Sequence, residues 1–323
     1  MGGVINSAEQ AGIPVRADRT NRMHVAGDEI RVDGGRVRIG KLDADMYRFL
    51  RDPQAVIETL RKSPDRPDLF TFVQKVNDTT PRYNYPHETA NFAAIPVSTY
   101  ENWFEKQITS VPRNRVRQAT KRGAVLREVP FGEELVRGIW EIYNETPIRQ
   151  GRPYPHYGQS LESVYREEST YLDCSVFVGA YMGDELIGFI KLVWDDDKVQ
   201  AGLMNILSKM KHRDKAPTNA LVGEGVRACA ARGIANLTYG PFAFANRERD
   251  SLTEFKENNG FKRVEVPRYY VPLTVWGAAA LKLGLHHRFV DRLPEGVGHK
   301  LRDLRARWYK RRNSPAKKES HKS

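Results

Sequence analysis

The spacing of apolar residues in the first part of the chain predicts short strands and helices in alternation. Two β-prone pieces, at 29–32 and 36–39, flank Asp33-Gly34-Gly35, a turn signal that predicts a β-hairpin. Apolar residues recur at helical spacing over 46–61, with Pro53 at a first-turn or break position. Two strands at 70–76 and 92–97 and a basic helix at 103–122, ended by Gly123, complete this part.

From residue 124 the pattern is more regular and predicts the order β-α-α-β-β-β-α-β-α-β. Three successive strands lie between pairs of helices, which favours a mixed, mostly antiparallel sheet over a doubly wound parallel one. The predicted fold class is therefore α/β (α+β), with a mixed sheet flanked by helices. The predicted elements are 124–129, 133–144, a helix ending near 170, 174–181, 186–194, 199–207, 217–232, 236–240, 251–258 and a final strand-pair region at 261–273.

The composition is that of an ordinary globular protein, with 40% apolar and 28% charged residues among 323. No apolar run approaches the roughly 18–20 residues that span a bilayer. The Met-Gly-Gly start lacks the basic and then apolar pattern of a secretory signal. Cys174 and Cys229 have apolar or small neighbours, so we expect reduced core residues in a cytoplasmic protein rather than a disulfide framework or zinc site.

The net charge of +12 is unevenly distributed along the chain. Residues 282–323 hold 13 Lys/Arg against 4 Asp/Glu, so the rest of the chain is nearly neutral. In this tail Leu301, Leu304 and Trp308 recur at helical spacing, which predicts a basic amphipathic helix followed by a disordered end. Such a helix could contact an anionic membrane or RNA phosphates, or could pack on the preceding domain.

Three local features stand out within the element order of residues 124–274. They are the hairpin at 179–188, the helix start Ala216-Pro217-Thr218-Asn219-Ala220-Leu221, and Leu252-Thr253-Glu254-Phe255-Lys256 followed by Asn259-Gly260-Phe261. In this element order and in these features the chain is similar to GNAT acyltransferases. The block around Phe255-Lys256 also resembles the Phe-Lys signature of the Fem branch, the peptidoglycan-bridge aminoacyl transferases. A basic stretch at 113–123 is similar to the helix that enters their C-terminal module.

This resemblance covers roughly residues 113–274, about half of the chain. It implies a GNAT-like catalytic domain at 113–280, preceded by a truncated or degenerate GNAT-like module at 1–112. The basic helix and tail occupy 281–323.

The resemblance implies an acyl donor at the start of the helix that begins at Pro217. Free backbone N–H groups at a helix N-terminus attract phosphate. The glycine-rich loop that GNAT enzymes use for coenzyme A is replaced here by His212-Arg213-Asp214-Lys215-Ala216-Pro217. Acyl-CoA and aminoacyl-tRNA both remain candidate donors, with no covalently bound cofactor, and a solvated basic loop is the alternative. The expected phosphate-binding residues are Lys211, Arg213, Lys215, Thr218 and Asn219.

For catalysis, the resemblance implies that Lys256 lies near the transferred acyl group and stabilises developing negative charge. The alternative is an exposed helical lysine, with Phe255 as the core residue of this helix. Tyr239, at the end of the predicted strand 236–240, is a candidate general acid or else a core residue.

The loop at 148–157 is the expected acceptor wall. Arg149 and Arg152 could hold a carboxylate or phosphate, and Tyr157 could stack on a sugar or base. His156 is a candidate base or an inert loop histidine. No metal site is expected, since the Asp195–Asp197 run is predicted to be a solvated turn. Motifs of serine hydrolases, zinc proteases, P-loop proteins and Rossmann proteins are absent from the sequence.

The sequence therefore predicts acyl or aminoacyl transfer to an amine or hydroxyl of a cell-envelope or saccharide-type precursor. The expected partners are this small acceptor and, for a charged-tRNA donor, tRNA, with peripheral contact at the inner face of the membrane through 282–323. The alternative function is a non-catalytic GNAT-like module that binds RNA or an anionic membrane surface through the tail.

Overall fold

In this computed structural model, eleven strands form one mixed sheet. The structure describes residues 21–149, 152–195, 197–243 and 251–287. The strands are β1 (Asn21–Val25), β2 (Asp28–Gly34), β3 (Arg38–Leu42), β4 (Leu69–Val73), β5 (His87–Pro96), β6 (Val125–Val129), β7 (Ile148–Arg149), β8 (Arg152–Pro153), β9 (Ser175–Met182), β10 (Glu185–Trp194), β11 (Ala201–Ser208), β12 (Asn236–Thr238) and β13 (Lys262–Pro272).

Helices cover both faces of this sheet. Short 3₁₀ turns at Leu172–Cys174 and Met210–Lys215 precede β9 and α6. The helices are α1 (Pro53–Lys62), α2 (Tyr100–Asn102, continued by a π-helical turn at Trp103–Gln107), α3 (Ser110–Lys121), α4 (Glu133–Asn144), α5 (Leu161–Glu168), α6 (Pro217–Ala231), α7 (Ser251–Asn258) and α8 (Val275–Lys282).

The large sheet has the strand order β1-β2-β3-β4-β13-β5-β12-β11-β10-β9-β6, and β7 pairs with β8 separately. Only β3–β4 and β11–β12 run parallel among its paired strands. The predicted mixed, mostly antiparallel sheet with flanking helices is therefore confirmed. The hairpin predicted around Asp33-Gly34-Gly35 is formed by β2 and β3.

The structure corrects three predicted elements. The helix predicted over 46–61 begins only at Pro53, because Asp52 accepts hydrogen bonds from the N–H groups of Gln54 and Ala55 as the N-cap. The helix predicted over 103–122 is interrupted, since Thr109 is extended and caps α3. The region predicted as a strand pair at 261–273 is the single strand β13.

The middle of the sheet joins distant parts of the chain. β5 lies between β12 and β13, pairing antiparallel with both. The predicted regions 1–112 and 113–280 thus share one continuous sheet, and their division into modules stays a prediction.

The core lies on both faces of β9, β10 and β11. On one face, α6 packs Leu221 and Val226 against Leu203. On the other, α4 packs Ile139 and Ile142 against apolar side chains of β9 and β10. Cys174 and Cys229 are both buried and free of disulfides, as expected. Among the described helices, none has the length and apolarity that crossing a membrane requires.

Candidate active site

β11 and β12 separate after two residue pairs. Ala201 pairs with Leu237 and Gly202 with Thr238. The chain then follows β5 instead, because Tyr239 N–H donates to the Ala93 carbonyl at 2.8 Å. A register shift in the β10–β11 pairing lies at the same level. Within the described residues, no strand pairs with this edge of β11 beyond Gly202. We call the place where the two strands separate the splay, and backbone polar groups of β11 border it.

Lys256 is buried beside the splay, with 1% of its surface exposed. Its Nζ donates to the carbonyl of Pro241 at 2.5 Å and lies 4.7 Å from the ring centroid of Tyr239. The inward face of α7 carries Thr253 and Lys256, whereas Phe255 is only partly buried at the edge of the core. The alternative of an exposed lysine is therefore wrong, and so is the expectation that Phe255 is the more deeply buried residue.

Tyr239 is the aromatic partner of this ammonium and is itself buried. Its ring lies 6.0 Å from that of Phe261. Burial raises the pKa of the Tyr239 hydroxyl well above its ordinary value, so the phenol stays protonated at neutral pH. The structure brings the two predicted catalytic residues together, and this pair can offer a cation and a protonated hydroxyl side by side.

Asn219, in contrast, faces the protein interior. Its Nδ2 donates to Oδ1 of Asn259 at 3.0 Å, and Asn259 Nδ2 donates to the carbonyl of Phe255 at 2.7 Å. The indole of Trp103 donates to the Asn259 carbonyl at 2.9 Å. Asn219 therefore ties the start of α6 to the end of α7, which fixes α7 and its Lys256. Thr218 lies 3.0 Å from Ser208, hydroxyl to hydroxyl, at the end of β11.

Carboxylates occupy much of the predicted phosphate loop. Lys209 Nζ donates to Glu141 and Glu185, at 2.7 Å each. Lys211 Nζ lies 2.6 Å from Glu185, and His212 Nε2 lies 3.0 Å from its second oxygen. Partial burial alone would raise the pKa of Glu185, but hydrogen bonds from these three side chains outweigh it and lower the pKa to about 2.

The remaining cations of this loop differ in exposure and in partners. Lys215 lies 3.4 Å from the neighbouring Asp214. Arg213 is exposed, and its guanidinium contacts no carboxylate among the described residues. The first turn of α6 begins after Ala216, in left-handed backbone at φ 51°, and has no side-chain cap. Of Lys211, Arg213 and Lys215, only Arg213 has no carboxylate partner within the part of the chain that the structure describes.

Arg149 is a structural tether rather than an open acceptor residue. Its guanidinium donates to the carbonyls of Ile142 at 2.7 Å and Ser208 at 2.9 Å, and to Glu145 at 3.1 Å. These bonds join the end of α4 to the end of β11. Arg152 and Tyr157 are exposed on the β7–β8 hairpin and the turn after it, and their acceptor role stays a prediction.

A buried polar cluster on β10 and α5 escaped the sequence reasoning. Lys191 Nζ donates to the Glu168 carbonyl at 2.8 Å and lies 3.9 Å from its carboxylate. Tyr143 donates to that carboxylate at 2.8 Å and Asn205 at 2.7 Å. Burial raises the pKa of Glu168 and lowers that of Lys191. The available signal was a single lysine inside the apolar run 186–194.

His156 lies at the edge of this cluster. Its ring is 4.4 Å from that of Tyr143, centroid to centroid, and its Nδ1 is 3.7 Å from a carboxylate oxygen of Glu167. The imidazole is therefore packed between an aromatic ring and a carboxylate. The choice between a base and an inert histidine stays open.

A polar cavity of about 640 Å³ lies between β2–β4 and the turn that follows β10. Asp195 lines this cavity. Its carboxylate accepts hydrogen bonds from Arg48 Nε at 2.6 Å and from the Phe49 N–H at 3.1 Å, and it lies 3.2 Å from Lys75 Nζ. The prediction of a solvated turn is thus wrong for Asp195, because its carboxylate binds Arg48, which lies between β3 and α1, and Lys75, which follows β4. Asp196 lies outside the described residues.

Tyr47 stands between this cavity and the splay. Its neighbours Ala44 and Arg48 line the cavity. Its own ring packs against Gly202, where a Cβ would come within 2.5 Å of Tyr47 Cδ1. The missing side chain at Gly202 therefore makes room for Tyr47 at the point where the splay begins.

No protein-family model matches the chain, and no curated protein matches it in sequence. Solved structures do match. The alignment with the FemX structure covers 84% of this chain and 89% of the FemX chain, with a TM-score of 0.55 and 9% sequence identity. The C-terminal domain of a putative lysylphosphatidylglycerol synthetase from Agrobacterium fabrum covers 82% and 86%, with a TM-score of 0.53 and 12% identity.

L-PGS from Bacillus licheniformis covers 83% of this chain and 90% of its own, with a TM-score of 0.52 and 13% identity. At these identities the likeness establishes the fold. The splayed strands and their helices therefore have the fold of FemX, the Fem-like arrangement that the Phe-Lys block predicted. Residues 288–323, to which the predicted basic helix and tail belong, lie outside the described residues.

Proposed function

We propose that this protein is a transferase that moves an acyl or aminoacyl group to an amine or hydroxyl of a cell-envelope precursor. The observation that carries the proposal is the buried ammonium of Lys256 beside the Tyr239 ring at the splay. A fixed cation in a water-poor cleft is suited to a reaction that develops negative charge on a carbonyl oxygen. Two structures with this fold bear names that refer to lysylphosphatidylglycerol synthesis, which supports acyl transfer to an envelope lipid.

The chemistry assigns a role to each of the two residues. The acceptor attacks the donor carbonyl, and the tetrahedral oxyanion that forms is stabilised by the Lys256 ammonium. As the carbon–oxygen or carbon–sulfur bond to the donor breaks, the leaving atom takes the proton of the Tyr239 hydroxyl. The proton lost by the acceptor passes to solvent, from which Tyr239 is reprotonated. The raised pKa of Tyr239 means that this hydroxyl carries its proton in the resting protein at neutral pH.

The surroundings of α6 favour aminoacyl-tRNA over acyl-CoA as the donor. Lys209 and Lys211 are paired with Glu185, and Pro217 offers no N–H at the first helical position. A compact pyrophosphate therefore finds few free donors. Nearby cations instead extend outward along α3, whose end contacts this loop through the bond from Gln118 Nε2 to the Asp214 carbonyl. Exposed basic residues of this surface are Arg115, Lys121 and Arg213, together with Arg122, which pairs with Asp214.

The cavity beside Tyr47 is our candidate for the acceptor. Its volume suits a saccharide or a lipid headgroup, and charged side chains of both signs line it, including Arg48, Lys75 and Asp195. Tyr47 separates it from the splay. An acceptor hydroxyl or amine bound there would approach the donor carbonyl from the side opposite the α6 loop.

Transfer assays on the full chain test this proposal. Charged tRNA and acetyl-CoA are offered as donors, with phosphatidylglycerol vesicles and a peptidoglycan precursor as acceptors. We expect transfer from charged tRNA, reduced by about 100-fold or more in Lys256→Met. Glu257→Gln, an exposed change one residue further along α7, is the matched control and should retain the rate.

Each possible result has a clear meaning. No transfer from either donor by the folded chain would refute the transferase proposal. Transfer from acetyl-CoA alone would overturn the choice of donor. Equal rates for Lys256→Met and the native chain would remove the role of the ammonium.

A further inference from the structure

One carboxylate and two imidazoles lie close together at the start of β5, away from the splay. They belong to Glu88, His286 and His287. Nε2 of His286 lies 2.9 Å from Oε1 of Glu88, and Nε2 of His287 lies 3.0 Å from the same oxygen. One potential ligand atom from each of the three residues falls within 4.8 Å of the others. The transferase mechanism uses none of these groups.

The local backbone builds this arrangement. α8 ends at Lys282, and Gly284 adopts a left-handed conformation at φ 65° that reverses the chain. Leu285 N–H then donates to the Ala280 carbonyl at 2.8 Å, and His287 N–H to the Gly284 carbonyl at 3.2 Å. This turn places two consecutive histidines over the first residues of β5, with their rings 4.0 Å apart.

Residues of β13 border this cluster. Arg268 of β13 pairs across from Glu88 in the sheet, and its guanidinium is compensated by Asp45 at 2.9 Å. Tyr270 lies two residues further along β13. The Tyr270 ring also packs 4.6 Å from His286. Metal-binding imidazoles are commonly oriented by contacts with surrounding residues, as His286 is here by the Tyr270 ring.

The spacing of the ligand atoms suits a small tetrahedral cation. With zinc–ligand bonds of about 2.0–2.1 Å, neighbouring ligand atoms lie about 3.3 Å apart. The distances of 2.9 and 3.0 Å from Glu88 to the imidazoles are a few tenths of an ångström shorter. A small outward movement of the two rings therefore opens room for an ion. His286 is 3% exposed in its side chain, whereas His287 is 40% exposed, so an ion could enter from the His287 side.

We propose that Glu88, His286 and His287 form a binding site for a borderline divalent transition metal such as Zn²⁺, with water at the fourth position. Imidazole and carboxylate ligands in this number are typical of Zn²⁺ sites that keep one open position. The metal ties the chain that leaves α8 to the edge of the central sheet. The site is independent of the proposed transferase chemistry, and its position indicates a structural role.

The test uses the full chain after removal of metals with a chelator. Zn²⁺ is titrated calorimetrically, and Co²⁺ is used as a probe because its visible absorption reports a tetrahedral environment. We expect one Zn²⁺ per chain, a tetrahedral Co²⁺ spectrum that Zn²⁺ displaces, and a higher melting temperature with Zn²⁺. Glu88→Gln, His286→Ala and His287→Ala should each weaken Zn²⁺ binding by about tenfold or more.

His24→Ala is the matched control, because His24 is exposed on β1 and is not part of the cluster. It should bind Zn²⁺ as the native chain does. If Glu88→Gln does not fold, the exposed His287→Ala carries the test, with its metal-free melting temperature as the check on folding. Absence of binding by the native chain, or equal binding by His287→Ala and His24→Ala, would overturn the proposal.

Discussion

The ammonium of Lys256 and the ring of Tyr239 form a buried cation–π pair, with Nζ 4.7 Å from the ring centroid. The ring face and the Pro241 carbonyl hold the cation in one position. The hydroxyl of Tyr239 is not needed for this contact, because phenylalanine offers a similar face. The two proposed roles of Tyr239, as support and as proton donor, can therefore be separated by substitution.

Tyr239→Phe is expected to leave stability nearly unchanged and to lower the transfer rate by about 100-fold, as loss of a general acid does. Tyr239→Ala should lower the rate further and also destabilise the fold by about 3–5 kcal/mol, because a large buried ring is lost. Initial rates and urea unfolding of both variants measure these effects. A native rate for Tyr239→Phe would assign Tyr239 a supporting role only.

Asn219→Ala distinguishes a structural from a phosphate-binding asparagine. The variant leaves Oδ1 of buried Asn259 without its 3.0 Å donor, so we expect a loss of about 1–3 kcal/mol in unfolding free energy. Donor affinity, measured below the unfolding transition, should stay within about twofold. Weaker donor binding at unchanged stability would instead support the phosphate contact that the sequence predicts.

Lys191 and Glu168 should be energetically coupled. Lys191→Met leaves the buried Glu168 carboxylate without its cation, at an expected cost of about 3–5 kcal/mol. Adding Glu168→Gln should recover part of this loss, because an amide keeps the bonds from Tyr143 and Asn205 without the charge. A double-mutant cycle from urea unfolding gives the coupling. Additive effects of the two changes would contradict it.

Glu185 makes stability depend on pH in the acid range. Its folded pKa of about 2 lies below the ordinary value of 4.5, so its ion pairs stabilise the protein fully above about pH 4.5. This stabilisation is lost as the pH falls from 4.5 towards 2. Glu185→Gln should therefore lower stability by about 1 kcal/mol at pH 7 and flatten that part of the acid profile. Asp184→Asn, exposed in the same turn, should keep the native profile.

The spacing of apolar residues was sufficient to predict a helix where residues near in sequence determine the structure. The predicted helices 133–144 and 251–258 match α4 and α7 residue for residue. The long helix predicted from Trp103 failed because Pro112 disfavours a continuous helix at this point. Thr109 instead leaves helical geometry and bonds to Asn258, hydroxyl to side-chain oxygen, at 2.9 Å.

The candidate site was less predictable than the fold. A family motif pointed to Lys256, but periodicity alone favoured Phe255 as the inward residue. The cluster around Lys191 and Glu168 combines side chains of α4, α5, β10 and β11, and no local pattern links such distant positions. Carboxylates around Lys209 and Lys211 were equally invisible, since Glu141 and Glu185 reach them only through the packing of α4 and the β9–β10 turn.

The placement of β5 also governs when the protein can fold. In the described ranges of the chain, residues 87–96 pair with the strands at 236–238 and 262–272, so these central pairings close loops of well over a hundred residues. Such non-local pairing slows folding, and here it postpones completion of the sheet until most of the chain has been synthesised. Until then the backbone N–H and C=O groups of β5 have no strand partner, and such an unpaired edge is where a chaperone is expected to bind during translation.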